Sequence, residues 1–195
     1  MRTAFPRIYL ASASPRRAQL LGQIGVPFEV LRLGDLTVDE SVHGREAPLA
    51  YVKRLAYAKA AAGVQAMRAQ KLAARPVLAA DTTVCIGREI LGKPEDAADA
   101  RRMLRLLSGR THRVLTALAI ARGSAIKVAV SESRVTFAKL SRREMEAYIA
   151  TGEPFDKAGA YGIQGKAGAF ISHLAGSYTG VMGLPVHETA KLLGA

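Results

Sequence analysis

A chain of 195 residues with 49% hydrophobic and 6% aromatic positions can bury one sizeable core, so a single domain is expected, at most as two lobes sharing a sheet. Its one cysteine, Cys85, excludes an internal disulfide framework, and four scattered histidines offer no His/Cys zinc pattern. A balance of 28 basic against 16 acidic residues, net +12, suits nucleic acid, membrane surface and small phosphate compounds alike, and much of the excess, such as Arg101, Arg102 and Arg105, falls on what reads as a solvated helix face.

The first apolar run ends at Ser12, too short for a signal-peptide core or a membrane span, so a soluble cytoplasmic protein without a membrane partner is expected. Ile8 to Ala11 reads as a buried strand entering Ser12-Ala13-Ser14-Pro15. A short helix follows, with Leu20, Leu21 and Ile24 on one face and Gly22 or Gly25 closing it. Phe28 to Leu31 is a second strand, and Pro48 to about Met67 a long Ala-rich helix with Pro48 in its first turn. Val77 to Ile86 reads as a strand, with a turn at Gly87-Arg88 and a short return through Leu91. Asp96 to Leu107 is a helix stopped at Ser108-Gly109. His112 to Ala121 and Ile126 to Phe137 form a hairpin, and Ser141 with Glu144 makes a capping box for a helix ending at Gly152. A glycine-rich loop, a strand from Ala169 to Leu174 and a helix from near Pro185 complete the chain. Strands and helices alternate, which gives an α/β class with a mixed, twisted sheet and flanking helices.

Four segments carry residues suited to chemistry. In Ser12-Ala13-Ser14-Pro15-Arg16-Arg17, Ser14 can serve as N-cap with both arginines in the first helical turn. Cations there oppose the helix dipole at a cost of roughly 0.3–1 kcal/mol each. The cost vanishes if backbone N–H groups, hydroxyls and guanidiniums converge on an anion, and the paired arginines beside a strand end favour that over a plain capped surface helix. The segment is not a P-loop, since the Gly-x4-Gly-Lys spacing is absent. Asp81, in Ala80-Asp81-Thr82, reads as lying at the carboxyl end of an apolar strand, where α/β sheets place their chemistry; it can activate water, hold a divalent cation, or pair with a nearby arginine.

Lys93, in Gly92-Lys93-Pro94, can fold back toward Asp81 or remain solvated. Lys59 lies two helical turns beyond Val52, near the apolar face, and either snorkels or binds an anion. Glu40 has no local signature. In Asp156-Lys157-Ala158-Gly159-Ala160-Tyr161-Gly162-Ile163-Gln164-Gly165 the repeated glycines suggest a loop that approaches a ligand closely or a surface loop without a role. Gln164 can present a two-sided amide to a base edge, and Tyr161 can stack or pack. Cys85, within a strand and with no histidine near it in sequence, reads as core packing.

Taken in order, these four segments resemble the Maf family of nucleotide pyrophosphatases, from Leu10-Ala11-Ser12-Ala13-Ser14-Pro15-Arg16-Arg17 to Gly183-Leu184-Pro185, nearly the whole chain. The resemblance implies a two-lobed α/β fold around a nucleotide-binding cleft, related to the inosine triphosphatase type. It implies a nucleoside triphosphate substrate, a divalent cation (Mg²⁺ or Mn²⁺) and a homodimer. It places the catalytic aspartate on Asp81 and conserved charged cleft residues on Glu40, Lys59 and Lys93. Substrate contacts fall on Ser12, Ser14, Arg16, Arg17 and Lys59, and the metal on Glu40 and Asp81. Arg16, Thr82 and Gln164, the positions associated with base choice, look like the branch that cleaves dTTP and UTP. Two other classes stay in view. A nucleic-acid module would fit the charge but lacks any zinc-finger, basic-zipper or RNA-recognition signature. A nucleotide-binding regulator of septum formation would bind triphosphate without turnover.

Overall fold

The computed structural model describes residues 5–34 and 36–194. Seven segments among them pair into one mixed sheet: β1 (Ile8–Leu10), β2 (Phe28–Val30), β3 (Val77–Ile86), β4 (Glu89–Leu91), β5 (Thr111–Arg122), β6 (Ala125–Phe137) and β7 (Ile171–Ala175). Their order is β2-β1-β3-β5-β6-β7, with β4 folded back on β3. β1 runs parallel to both β2 and β3, whereas β5, β6 and β7 continue antiparallel. β3 is rich in β-branched and small residues and is mostly buried along its length, as a central strand covered on both faces must be.

Among the described residues six α-helices flank the sheet: α1 (Pro15–Gln23), α2 (Pro48–Ala69), α3 (Ala97–Leu107), α4 (Arg142–Ile149), α5 (Tyr178–Met182) and α6 (Val186–Leu193). The core divides into two lobes about β3. At the first half of β3, α2 covers one face through Val52, Ala56 and Ala60, while Leu20, Leu21 and Leu193 of α1 and α6 cover the other. At the far end, α3 and α4 close over Val84, Leu91 and Phe137. Small residues let α2 approach closely: a Cβ on Gly63 would stand 2.7 Å from Val77 Cγ1 and 2.9 Å from the Ala11 Cβ. That approach brings the whole inner face of α2, Lys59 included, down onto the sheet.

The cleft arises from a gap in strand pairing. β1 pairs with β3 at Val77 and Leu78, and β4 pairs with it from Val84 to Ile86. Between them the same edge of β3 has no partner strand among the described residues. Asp81, Thr82 and Thr83 sit in that gap. The expected position of Asp81 at a strand end is therefore corrected. β3 runs on through Ile86, and it is β1 that stops, at Leu10.

Other boundaries differ for local reasons. α2 extends to Ala69, and the last strand starts at Ile171 because Lys166–Phe170 is a 3-10 helix. The glycine-rich stretch begins as 3-10 turns, Glu153–Asp156 and Ala158–Ala160, and only residues 161–165 remain turn or open loop. α5 escapes a periodicity reading because it has five residues with glycine inside it. The capping box at Ser141 and Glu144 forms as expected.

Candidate active site

Ser14 takes the N-cap position of α1, but its side chain makes no capping hydrogen bond. Its backbone N–H instead donates to Ser12 Oγ at 3.3 Å. This corrects the expected role of Ser14: a cap would satisfy the first-turn donors, whereas here the Ser14 hydroxyl lines the cleft uncommitted to the helix. Arg17, the third residue of that helix, is held by three neutral oxygens. Nη1 donates to Ser12 Oγ at 3.0 Å, Nη2 to Thr82 Oγ1 at 3.3 Å, and Nε to the Gly183 carbonyl at 2.9 Å. Burial lowers the Arg17 pKa, partly offset by the nearby Asp81 charge, yet among the described residues no carboxylate contacts its guanidinium. A desolvated cation held by neutral groups is an arrangement that an anion would complete.

Across the strand, Lys59 Nζ lies 2.7 Å from Asp81 Oδ1 and 2.6 Å from Glu40 Oε1. Lys59 therefore neither snorkels nor stands free, and Asp81 pairs with a lysine rather than with an arginine. Side-chain exposures of 18% for Lys59 and 10% for Asp81, against 57% for Glu40, make the first pair the strongly coupled one. Leaving one member of such a pair alone costs about 3–5 kcal/mol. Thr83 adds a hydrogen bond from Oγ1 to Asp81 Oδ2 at 3.3 Å. Successive β3 side chains alternate between faces, so Asp81 and Thr83 look toward α2 while Thr82 looks toward α1.

The third wall is the segment after Gly152. Arg16 Nη1 meets Asp156 Oδ2 at 3.3 Å, joining α1 to it. Burial of Asp156 is outweighed by its hydrogen bond and charge contact with Lys157 and by Arg16, so its pKa falls. Gly159 adopts φ +71°, and a Cβ there would lie 2.8 Å from Val84 Cγ1; its N–H donates to the Gly92 carbonyl at 2.9 Å. That bond sets Gly92 and Lys93 beside the same cleft. Lys93 lines it but makes no bond to Asp81. Tyr161 packs rather than stacks on a ligand. Its hydroxyl lies 2.7 Å from His112 Nε2 and its ring meets Phe137 edge-on. Burial lowers the His112 pKa to about 4, so His112 is neutral at physiological pH. Gln164, exposed, lines the cleft with no hydrogen bond to another described residue.

All ten expected site residues, Ser12, Ser14, Arg16, Arg17, Glu40, Lys59, Asp81, Thr82, Lys93 and Gln164, line one cleft of about 740 Å³. Sequence reasoning missed the residues that hold them. Tyr51 and Arg54 of α2 donate to the backbone carbonyls of Glu40, Asp39 and Ser41, and so pin the arm that carries Glu40. Their i, i+3 spacing on α2 was the one available signal. Thr116 and His112 carried none, since each is a polar position in an apolar strand. Arg101 and Arg102 are not simply solvated: they pair with Glu146, and with Asp99 and Glu89.

Comparison with known proteins agrees with this architecture. A dTTP/UTP pyrophosphatase of Chromobacterium violaceum is 56% identical over 193 residues, covering 99% of this chain and 96% of the relative. One from a Polaromonas species is 53% identical over 191 residues, covering 96% and 95%. Among solved structures, a HAM1 protein from Coxiella burnetii superposes with a TM-score of 0.50 at 17% identity, covering 70% of this chain and 75% of that one, which speaks for the fold alone. The model of the family described as Maf-like protein matches residues 7–195, and with relatives of that identity and coverage the chain belongs to the Maf-like family.

Proposed function

We propose that this chain hydrolyses dTTP and UTP to the nucleoside monophosphate and pyrophosphate. The observation that carries the reading is the cleft itself: a half-buried cation held only by neutral oxygens, Arg17, on one face of β3 and the Lys59–Asp81 pair on the other. Relatives at 53–56% identity named for this activity support the substrate class. Water attacks the α-phosphorus, the α–β anhydride bond breaks, and its electron pair leaves on pyrophosphate. Such a reaction needs positioning and charge neutralisation more than covalent help. Arg17 and Ser12 grip phosphate oxygens from the α1 side, and Arg16 and Lys93 add positive charge at the rim. Asp81 orients the water and takes its proton once substrate draws Lys59 toward the phosphates.

Asp81 and Glu40 converge on one position, now held by Lys59 Nζ, and no group of three His, Cys, Asp or Glu side chains suited to a metal occurs among the described residues. Two hard carboxylates fit Mg²⁺ or Mn²⁺ that takes its other ligands from phosphate and water. When bound there, the ion would neutralise charge on the triphosphate. The dimer implied by the family resemblance, and the cytoplasmic setting expected from the short first apolar run, belong to the same proposal; among the described residues no helix is long and apolar enough to cross a membrane.

A panel of nucleoside triphosphates with pyrophosphate detection in ¹⁸O-labelled water tests the reading. Label in the monophosphate, with dTTP and UTP preferred, supports it; label in pyrophosphate, or stepwise orthophosphate release, overturns the geometry. Triphosphate binding without pyrophosphate release would return the regulator reading. Exhaustive chelation should abolish turnover and Mg²⁺ or Mn²⁺ restore it, and full activity after chelation would remove the metal from the proposal.

A further inference from the structure

A hydroxyl has one hydrogen to donate and two lone pairs with which to accept. Around Arg17 that count fixes the direction of three hydroxyls. Thr116, fully buried on β5, sets its Oγ1 2.8 Å from the Gly180 carbonyl, which can only accept, so the Thr116 hydrogen is committed there. The 3.0 Å contact between Thr82 Oγ1 and Thr116 Oγ1 is then donated by Thr82. Arg17 Nη2, which can only donate, reaches Thr82 Oγ1 at 3.3 Å. The hydrogens therefore run from Arg17 through Thr82 and Thr116 to Gly180. Thr82 is left with its hydrogen turned from the cleft and one lone pair over. Ser12 is polarised in the opposite sense. It accepts from the Ser14 N–H at 3.3 Å and from Arg17 Nη1 at 3.0 Å, so its own hydrogen stays free. Ser12 and Thr82 both line the cleft; Thr116 does not.

We infer that Thr116 is a positioning residue for base choice, holding Thr82 as an acceptor-only group that takes the N3–H of thymine or uracil and opposes the bare N3 of cytosine. The inference deepens the proposed dTTP and UTP hydrolysis and rests on it. Phosphate oxygens bring no hydrogen to Thr82, whereas the free Ser12 hydrogen suits them. Arg17 thus splits the cleft into a donating half for phosphate and an accepting half for base. A site that pairs a substrate donor in this way rejects an analogue that lacks it, because a buried acceptor is left facing an acceptor.

Thr116→Val keeps nearly the same shape, and the Gly180 carbonyl retains its bond from the Gly183 N–H at 3.0 Å. The Thr82 hydrogen is then released to turn into the cleft. Affinities for the α,β-imido analogues of dTTP and dCTP, measured by titration calorimetry, read the effect without turnover. Wild type should prefer the thymine analogue, and Thr116→Val should shrink that preference about tenfold, mainly by tighter cytosine binding. Thr116→Ser should retain the wild-type ratio, and adding Thr116→Val to Thr82→Val should change nothing further. An unchanged ratio in Thr116→Val, or an equal loss in Thr116→Ser, overturns the inference. If Thr116→Val does not fold, Thr82→Val decides: it must weaken thymine and spare cytosine, and equal loss for both overturns the inference. Wild type that prefers the thymine analogue yet releases no pyrophosphate loses the hydrolysis reading alone; wild type without base preference overturns the inference whatever its turnover.

Discussion

The two faces of β3 differ in how their charges are balanced. Toward α2, Lys59 is flanked by Asp81 and Glu40, two carboxylates that share one ammonium. Toward α1, Arg17 is coordinated by Ser12, Thr82 and the Gly183 carbonyl, with no carboxylate among the described residues in contact. The first face is self-satisfied and must rearrange to act; the second already has the arrangement an anion needs. One strand serves both because neighbouring side chains point to opposite faces. A ligand bridging the gap left by β1 and β4 therefore meets fixed positive charge from one side and, from the other, a carboxylate that it must free from its lysine.

The largest expected effect follows from Asp81→Asn. The amide fills the same space and can still face Lys59, but it can neither take a proton nor carry charge. Removal of a general base typically costs 10²–10⁴-fold, so kcat should fall by about 10³ while nucleotide binding stays within a few-fold. Near-wild-type pyrophosphate release by a folded variant would move the chemistry off this face. Next in size is Arg17→Lys. An ammonium keeps the charge but cannot meet three oxygens set around a planar guanidinium. With charge-assisted hydrogen bonds worth roughly 1.5–3 kcal/mol, kcat/KM for dTTP should fall about 100-fold. A loss confined to a few-fold would mean that charge alone matters on the α1 face.

Legibility in the sequence followed the same division. Ser12 to Arg17 announces itself, since two arginines at the positive end of a helix contradict local electrostatics. The strands around Asp81 were legible from apolar runs and turn residues, and β3 was placed residue for residue. What surrounds Asp81 was not legible: its partner Lys59 and Glu40, the second carboxylate on that lysine, lie 22 and 41 residues away, joined by the packing of α2 on β3 and by the α2 side chains that hold the Glu40 segment. The cap on α1 was half legible: Ser14 has the right residue type and backbone and takes the N-cap position, but its side chain makes no capping hydrogen bond, which no local pattern signals. Thr116 and His112 were invisible for a different reason. Their roles depend on register across the sheet, Thr82 opposite Thr116, which no local pattern encodes.

A smaller effect, at the rim, is expected from Gln164→Glu. Thymine and uracil present carbonyl acceptors on either side of the N3 donor assigned to Thr82, and the Gln164 amide N–H can donate to one of them. The carboxylate loses the N–H donors and adds charge beside the triphosphate. The preference for dTTP over CTP should shrink about tenfold, in line with roughly 1–3 kcal/mol for one unpaired group. The check is kcat/KM for dTTP, UTP, CTP, ATP and GTP on both proteins. Retention of the full preference would leave base choice to Thr82 and its partners on the α1 face.

The smallest effect tests whether the α2 face depends on a pinned arm. Glu40 is carried by a segment whose backbone is held from α2: the Tyr51 hydroxyl donates to the Glu40 carbonyl at 2.8 Å, and Arg54 donates to the Asp39 and Ser41 carbonyls at 3.1 and 2.8 Å. Burial, and then the charges of Asp81 and Glu40, raise the Tyr51 pKa, so the phenol keeps its hydrogen throughout the neutral range. Arg54 is itself held by Glu46, whose pKa is lowered chiefly by that hydrogen bond. A depressed carboxylate contributes fully above its ordinary value of 4.5 and loses its contribution as pH falls below that through the folded value, so the arm stays anchored at neutral pH. Tyr51→Phe removes one partly exposed bond, worth roughly 0.5–1.5 kcal/mol, and water can replace it at the freed carbonyl. KM for dTTP should rise two- to fivefold, as expected for about that energy, with kcat changed less, from pH 6 to 9. Steady-state kinetics across that range decide it. A kcat loss approaching that of Asp81→Asn would place Tyr51 among the reacting groups, and an unchanged KM would show that Arg54 alone holds Glu40 in place.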